Sequence, residues 1–577
     1  MPSRLWERET DVSLALLLGV AALILYTATL APSVATLFDD SLEFQLVCLE
    51  PGIAHPTGYP LYTLLGHAFT RLPLGDVARR VNLLSAVAAS ACLALVYGLG
   101  RALSLRRTGA LAAAVALGLS PVFWSQATIA EVYALHCLFM AAVFVLAVRW
   151  ARSGDAWALR SRAVGVALVV GLSLTHHRMT LLSLPALGVY AATTLLTYRS
   201  TRGRWLSRRH APSFWNTALA FVAAAALPLA LYAYLPWRAQ VTTSLDGSYV
   251  HTWQGFWAWV TASSYTVFFG ENPLARSYDA AFYWSLFKEQ FSVVGLALAG
   301  LGLVNLLLRR PKEWLLVAVA LAIQLAFALR YRVGDVEVFF LPAFLLMALL
   351  VGAGVSAGPD LGQALRERGF GRGAIAVGRV LALAALGWLI YTGIGHYQAM
   401  DRSQDWGVYD YGLDVLTQPL GVKPVLIGIL GETTLVRYFQ QAVGLGRELH
   451  TVAADAEPDR LAAIDAALEA GQSVYLTREL PCREAFTLCA PARYSLRAVG
   501  PLVRVYPKGQ GPTIVPPQRL DAPLGPAVRL DGYEIATRQW HGAPVVRATL
   551  YWGVQQPPPA NYKVSARLLD GAGQTLA

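Results

Sequence analysis

Long apolar runs separated by short polar stretches fill the first 395 residues, and shorter alternating runs follow. A helix needs about 20 apolar residues to cross a bilayer. Eleven runs of that kind fall at 12–31, 82–102, 109–127, 132–150, 163–176, 179–198, 217–235, 291–308, 314–331, 338–355 and 376–395, the fifth being short. Two connecting stretches are too long for turns. In 32–81, the apolar residues of 59–72 recur at near-helical spacing with His67 and Arg71 between them, which predicts a helix lying along the membrane surface. The stretch 236–290 carries Trp237, Trp253, Trp257, Trp259 and Trp284, rings that suit the headgroup level and also stack on sugars.

After 396 the pattern reads as strand (424–430), helix (433–443), strand (449–453), helix (459–470) and strand (472–477). That predicts a small α/β domain with a parallel sheet over 397–508. A Pro- and Gly-rich linker covers 509–526, and 527–537, 545–554 and 562–569 alternate like strands of a β-sandwich. Three strands are too few for a sandwich, so 527–577 is expected to be an incomplete domain. The expected fold is mainly α: a polytopic membrane bundle over 1–396, then a small α/β domain and a partial β-sandwich.

Composition agrees. Hydrophobic residues make up 55% and charged ones 14%, against about 25% charged in soluble chains. The net charge of +11 resides largely in alternate loops: Arg4 and Arg8; Arg106 and Arg107; Arg152, Arg160 and Arg162; 199–209; Arg309, Arg310 and Lys312; Arg366, Arg368 and Arg372. By the positive-inside rule the N-terminus is cytoplasmic, and 32–81, 236–290, 332–337 and the tail face outward. The expected location is the cell membrane. No basic run is interleaved with aromatics, so nucleic acid is not an expected partner. The first run lacks a small-residue cleavage site and reads as a retained span. The cysteines form no metal pattern; Cys482 and Cys489 could pair if the tail faces an oxidising space.

The chemistry concentrates just past the first span, in Thr36-Leu-Phe-Asp-Asp-Ser-Leu-Glu-Phe44 and Ala54-His-Pro-Thr-Gly-Tyr-Pro-Leu-Tyr62. Asp39, Asp40 and Glu43 stand at the rim, and a half-shielded carboxylate is basic enough for a general base. Asp40 and Glu43 share a face if this stretch is helical. His55 could bond an acceptor or a phosphate, or cap its turn. Cations that could hold a phosphate on the same face are Arg238, Arg332, Arg330, Arg178 and His177. Tyr59, Glu131, Tyr133, Asp335 and Glu337 are candidates for substrate contact, and the last two could also hold a divalent cation. Adjacent His176 and His177 point about 100° apart on a helix and cannot easily share a metal.

With Gly52-Ile-Ala-His-Pro-Thr-Gly-Tyr-Pro-Leu61 and Val81-Asn-Leu-Leu-Ser-Ala86, the acidic stretch resembles a branch of the GT-C membrane glycosyltransferases. That branch, formerly of unknown function, includes the vertebrate O-mannosyltransferase of plexin-type receptors. Its pattern is roughly Asp-Ser-Gly-Glu followed by His-Pro-Pro-Gly-x-Pro-Leu, from which Leu42 and Thr57 depart. Weaker similarity continues through Glu131-Val-Tyr-Ala-Leu135, 172–180, Leu235-Pro-Trp-Arg238 and Gly334-Asp-Val-Glu-Val-Phe-Phe-Leu-Pro342, over roughly the first 345 residues. The resemblance implies a GT-C fold, a polyprenyl-phosphate sugar donor of mannose or a similar hexose, inverting transfer to a protein, lipid or glycan hydroxyl, and Asp40 as base with Glu43 beside it. The rival reading, a polar-lipid transporter or flippase, requires two similar halves with charges near the midplane, and no internal repeat is visible.

Overall fold

In the computed structural model of the chain, residues 2–577 are described except 154–155, 203–213, 271–274, 370–372, 478–492, 541–542, 555–566, 568, 570, 572–573 and 575–577. Two compact units emerge: Met1–Thr417 with Leu426–Arg460, and Gln418–Val425 with Leu461–Ala577.

The first unit is helical. It opens with α1 (Pro2–Ala28), then two short helices, α2 (Asp40–Leu49) and α3 (Pro60–Phe69), before α4 (Val77–Ala102). Next come α5 (Arg107–Gly118), α6 (Pro121–Ala127), α7 (Tyr133–Ala151), α8 (Ala156–Leu174) and α9 (Leu184–Arg202). After α10 (Phe214–Ala226) and α11 (Tyr234–Arg238), α12 (Trp253–Val260) precedes α13 (Ala280–Arg309), α14 (Pro311–Ala328), α15 (Leu341–Glu367) and α16 (Gly373–Ile394). The unit ends with α17 (Tyr397–Met400), α18 (Gly407–Leu416) and α19 (Leu430–Tyr438).

Ten helices among the described residues are long and apolar enough to cross a membrane, eleven if the bent pair α5–α6 counts as one span. The chain is a multi-pass membrane protein, and the expected runs coincide with these helices. The 68° bend has a local cause. Pro121 cannot continue the preceding ladder, and the freed Val122 N–H donates to buried Gln290 Oε1 at 3.0 Å. Several boundaries differ from the sequence expectation: α1 begins at Pro2 rather than 12, and α15 runs to Glu367, past the expected end at 355. Helix α13 begins at Ala280, inside the stretch read as an outer loop, and kinks at Ser292 (φ 56°).

Helix α15 is buried along most of its length. It is approached through glycine: a Cβ on Gly109 of α5 or Gly302 of α13 would collide with the α15 backbone. Such contacts replace the hydrophobic drive that lipid-exposed helices lack. The basic loops are also ion-paired, Asp11 with Arg101 and Arg107, Asp360 with Arg106 and Arg309, and Arg152 with Glu313.

The segment after α16 does not simply hang below the bundle. Leu435, Tyr438 and Phe439 share a buried cluster with Val34, Leu42 and Ala78. Tyr438 Oη donates to Asp76 Oδ1 at 2.7 Å and accepts the Ala78 N–H at 3.0 Å, so α19 caps the start of α4.

Strands appear as β1 (Pro424–Gly428), β2 (His450–Ala453), β3 (Ser473–Leu476), β4 (Tyr494–Val499), β5 (Leu502–Pro507), β6 (Gln518–Leu524), β7 (Val528–Trp540) and β8 (Ala543–Val554). In the second unit β5 pairs antiparallel with both β3 and β4, and neither β4 nor β5 was among the expected strands. The β4–β5 connection of Gly500 and Pro501, with Gly500 at φ 57°, is too short for a parallel crossover. A separate antiparallel sheet runs β6-β7-β8. Strand β6 occupies part of the stretch read as linker. The expected strand 562–569 falls largely outside the described residues, as do Cys482 and Cys489.

Candidate active site

The acid turn is organised by its own cap. Asp39 accepts the Ser41 N–H at 3.0 Å and the Thr36 hydroxyl at 2.5 Å, which starts α2. Asp40 and Glu43 then occupy the first helical turn, where negative charge is favoured. The turn is anchored from beneath. Ser41 Oγ accepts the Ala130 N–H, Ser85 Oγ bonds both backbone groups of Glu131, and Gln45 reaches Asn82, whose amide holds the carbonyls of Ala31 and Ser33.

The His-Pro-Thr-Gly-Tyr-Pro turn faces these acids. Gly58 sits at φ 85°, where a Cβ would strike Leu235 at 2.7 Å, and Tyr59 is also left-handed before Pro60 opens α3. The aromatic stretch covers the turn. Trp259 Nε1 donates to the Ala54 carbonyl at 3.0 Å, Tyr234 Oη donates to Gly52 at 2.7 Å, and Ile53 bridges Ser244. Other rings of that stretch, Trp237, Trp253, Trp257 and Trp284, remain exposed.

His55 lies between the two α2 acids. Glu43 accepts its backbone N–H at 2.7 Å and faces its Nδ1 at 2.7 Å, while Nε2 points at Asp40 Oδ2, 3.4 Å away. Nδ1 is thus held by Glu43, while Nε2 faces Asp40 without a hydrogen bond. Burial alone would lower the imidazole, but the charges of Asp40 and Glu43 outweigh it and push it up to about 9. Asp40 is raised, first by crowding and then by Glu43 and Asp39, with His55 opposing; about half of its side chain stays accessible. Asp39 is raised by burial against its two hydrogen bonds and the charge of Arg402.

Two further carboxyls join. Glu131 is buried, and its Oε2 has no hydrogen-bond partner among the described residues. Burial, then Asp40, Asp39 and Asp335, hold it well above the usual carboxylate range and therefore neutral. Asp335 is raised by crowding and by Asp40. Glu337, two residues on, is half-buried in the 3₁₀ segment Val336–Phe340. Tyr59 and Tyr133 pack against His177 at 5.8 Å each, forming an aromatic floor with His136 and Tyr62.

The cations divide. Arg178 is on the site: its charge acts on Tyr59 and Tyr331, the same two phenols that Asp40 reaches, and its Nη1 donates to the Thr261 and Ala262 carbonyls. Arg238 instead stacks on Trp237 at 5.5 Å and donates to the Glu50 carbonyl. His177 is no phosphate-binding cation. It is buried, its Nδ1 accepts the Met179 N–H, and burial with neighbouring His136, His176 and Arg178 keeps it neutral. His176 bonds the Val132 carbonyl and stacks on Tyr62, so the adjacent pair shares no metal. Arg332 braces the outer turn through its backbone, bonding Phe268 and Arg276, and Arg330 is exposed. Sequence reasoning missed Arg402, Tyr265 and Arg276, which lies beside Gly334.

Arg178 also lines an apolar groove of about 940 Å³, together with Leu229, Tyr232, Ala233, Phe256 and Trp257. Among the described residues, Asp40, Glu43 and His55 are the one set whose donor atoms, within 4.8 Å of one another, could surround a metal ion.

Comparison with known proteins follows this geometry. Residues 40–200 match the TMEM260_N family, described as the protein O-mannosyl-transferase TMEM260 N-terminal domain. Protein O-mannosyl-transferase TMEM260 of Mus musculus is 34% identical over 171 residues, 30% of this chain and 24% of that protein. The Dictyostelium discoideum protein O-mannosyl-transferase tmem260 is 27% identical over 148 residues, 25% of this chain and 18% of that protein. The chain thus spans a quarter or less of the length of these relatives in the matched region. The crystal structure of ArnT from Cupriavidus metallidurans bound to undecaprenyl phosphate superposes over 87% of this chain and 99% of that one, with a TM-score of 0.53 at 13% identity, a likeness of fold. Residues 40–200 are therefore similar to the TMEM260 N-terminal domain, and the chain shares the fold of the ArnT structure.

Proposed function

We propose that the chain is an integral-membrane glycosyltransferase that moves mannose or a similar hexose from a polyprenyl-phosphate donor to an acceptor hydroxyl, with inversion, on the extracytoplasmic face. The observation that carries this is Arg178, which lines an apolar groove and whose charge reaches the same two phenols that the accessible Asp40 reaches. A polyprenyl chain has the chemistry to lie against Leu229, Ala233 and Phe256, leaving its phosphate at Arg178. The matched relatives are O-mannosyltransferases, and the ArnT structure holds undecaprenyl phosphate.

In this reading Asp40 takes the proton of the acceptor hydroxyl. The oxygen forms a bond to the anomeric carbon as the bond to phosphate breaks, and the electron pair leaves on the lipid phosphate, which Arg178 stabilises. Neutral Glu131 can both donate to and accept from a sugar hydroxyl, and Asp335 can accept from one. No nucleotide sugar is required. The N-terminus is cytoplasmic and the tail extracytoplasmic, at the cell membrane, as the basic loops argue. The acceptor is a protein, lipid or glycan hydroxyl.

The test is transfer by purified protein from defined polyprenyl-phosphate hexoses, wild type against Asp40→Asn. Turnover should fall about 10²–10⁴-fold, the usual worth of a general base. Equal turnover in a folded variant removes Asp40 from that role.

A further inference from the structure

We propose that the cleft between α5, α13 and α16 is a lipid site for a phospholipid with an ethanolamine-type headgroup. Lys288 meets the phosphate, and Glu289 with His396 meets the ammonium.

The cleft lies beside a break in a span. Ser292 sits at φ 56° inside α13, and its Oγ accepts the Gly295 N–H at 3.3 Å and the Nε1–H of Trp388 from α16 at 3.3 Å. The cavity there measures about 320 Å³, within the ~300–1,000 Å³ usual for small-ligand sites. Val115, Leu119, Phe291 and Leu389 give it an apolar lining, and Lys288, Glu289 and His396 a polar one.

Its depth in the bilayer follows from α13. Lys288 precedes Arg309 by about 21 residues, or about 31 Å at helical rise, and the hydrocarbon core is about 30 Å thick. With Arg309 in a basic loop at one surface, Lys288 stands level with the headgroups at the other. Trp284 on α13 and Trp388 and Tyr391 on α16 are exposed near the same level, where aromatic rings favour the interface.

The charges select the headgroup. Among the described residues neither Lys288 nor Glu289 has a side-chain partner, although both line the cleft. Adjacent charges of opposite sign match a zwitterion better than an anion, which Glu289 repels. His396 adds direction. Its Nδ1 lies 3.3 Å from the Leu119 carbonyl, which can only accept, so the hydrogen is on Nδ1 and Nε2 of the neutral ring accepts. A primary ammonium can give hydrogens to Glu289 and to Nε2 together; a choline headgroup has none to give. The acyl chains then lie along exposed Val293, Val294 and Ile390. A lipid seated here touches Gln290, whose Oε1 holds the Val122 N–H and with it the α5–α6 bend.

The test is lipid binding to the full purified chain in detergent, read by native mass spectrometry. Phosphatidylethanolamine, phosphatidylcholine and phosphatidylglycerol with identical acyl chains are compared. One ethanolamine lipid should bind saturably, and about tenfold or more tightly than the choline lipid, the worth of one charge-assisted hydrogen bond. Glu289→Gln should erase that preference, and Lys288→Ala should weaken all three lipids by a similar factor. Both side chains are exposed, so the variants should melt as wild type does without added lipid. Equal affinity for the three lipids, or tightest binding of phosphatidylglycerol, overturns the proposal. So does an ethanolamine preference that survives both substitutions, which puts the lipid elsewhere. Glycerophosphoethanolamine, which lacks acyl chains, should not displace the lipid at equal concentration; displacement makes the ligand a soluble one and overturns the lipid assignment.

Discussion

Glu43→Gln removes the strongest tether of His55 while keeping its shape. In the wild type the imidazole stands at about 9 against an ordinary value of 6.5. At about 1.4 kcal/mol per pH unit, that gap is on the order of 3 kcal/mol of preference for the charged ring. Asp40 is the most open partner, 48% exposed against 19% for Glu43, so solvent and salt screen its share more. Neutralising Glu43 removes both a charge and a charge-assisted hydrogen bond, and should bring His55 down by one pH unit or more, toward 6.5. The sign for stability follows. A raised folded value means the imidazolium contributes in full below 6.5, and that the contribution is lost as pH rises through about 9. The assay is a pH titration of ¹³C-labelled histidine by NMR in detergent. With ten histidines, His55 is assigned from the difference spectrum of His55→Gln. A wild-type His55 that titrates near 6.5, or a Glu43→Gln variant that leaves it near 9, refutes the reasoning.

Other consequences are open to measurement. Because Asp40 is raised above its ordinary 3.8, kcat/KM should fall on the acid side through a higher pH than a free aspartate would give, and this limb should vanish in Asp40→Asn. Arg178→Ala should cut kcat about 10²–10³-fold if the guanidinium meets the departing phosphate, whereas Arg238→Ala, directed at the Glu50 carbonyl, should cost far less; equal losses refute the assignment. Gly431 packs so close that a Cβ would lie 2.3 Å from the Leu37 carbonyl, so Gly431→Val should push the Thr36–Asp39 turn aside and lower kcat about 10²-fold in a protein that still folds. Unchanged kcat in that variant would show that α19 does not support the acid turn.

The spans were legible because lipid imposes a length and an apolar composition that can be read residue by residue. The break between α5 and α6 was not, because its stabilising partner, Gln290, comes from a distant helix. In the site, Asp39, Asp40 and Glu43 were visible as acids beside a Pro- and Gly-structured turn, yet the sequence gives no sign that the His55 ring lies between two of them. Among the cations, residue type was readable and direction was not. Arg178 and Arg238 both follow apolar runs, and only packing shows that one holds the Thr261 and Ala262 carbonyls near Tyr59 and the other the Glu50 carbonyl. Arg402 lies some 360 positions beyond Asp39 and depends on the tail folding back, which no local pattern reports.

The charge balance of the site explains why it needs this arrangement. Asp39, Asp40, Glu43, Glu131 and Asp335 act on one another, a density of carboxyls that would repel an anionic donor. Glu131 relieves this by staying neutral and His55 by carrying charge, but a negative excess persists around Asp40. That excess favours uptake of a hydroxyl proton and disfavours a phosphate on the same side. In the proposed reaction the phosphate approaches from the side of Arg178 and the apolar groove. Nucleophile and leaving group would then stand on opposite sides of the anomeric carbon, the separation that the proposed inversion demands.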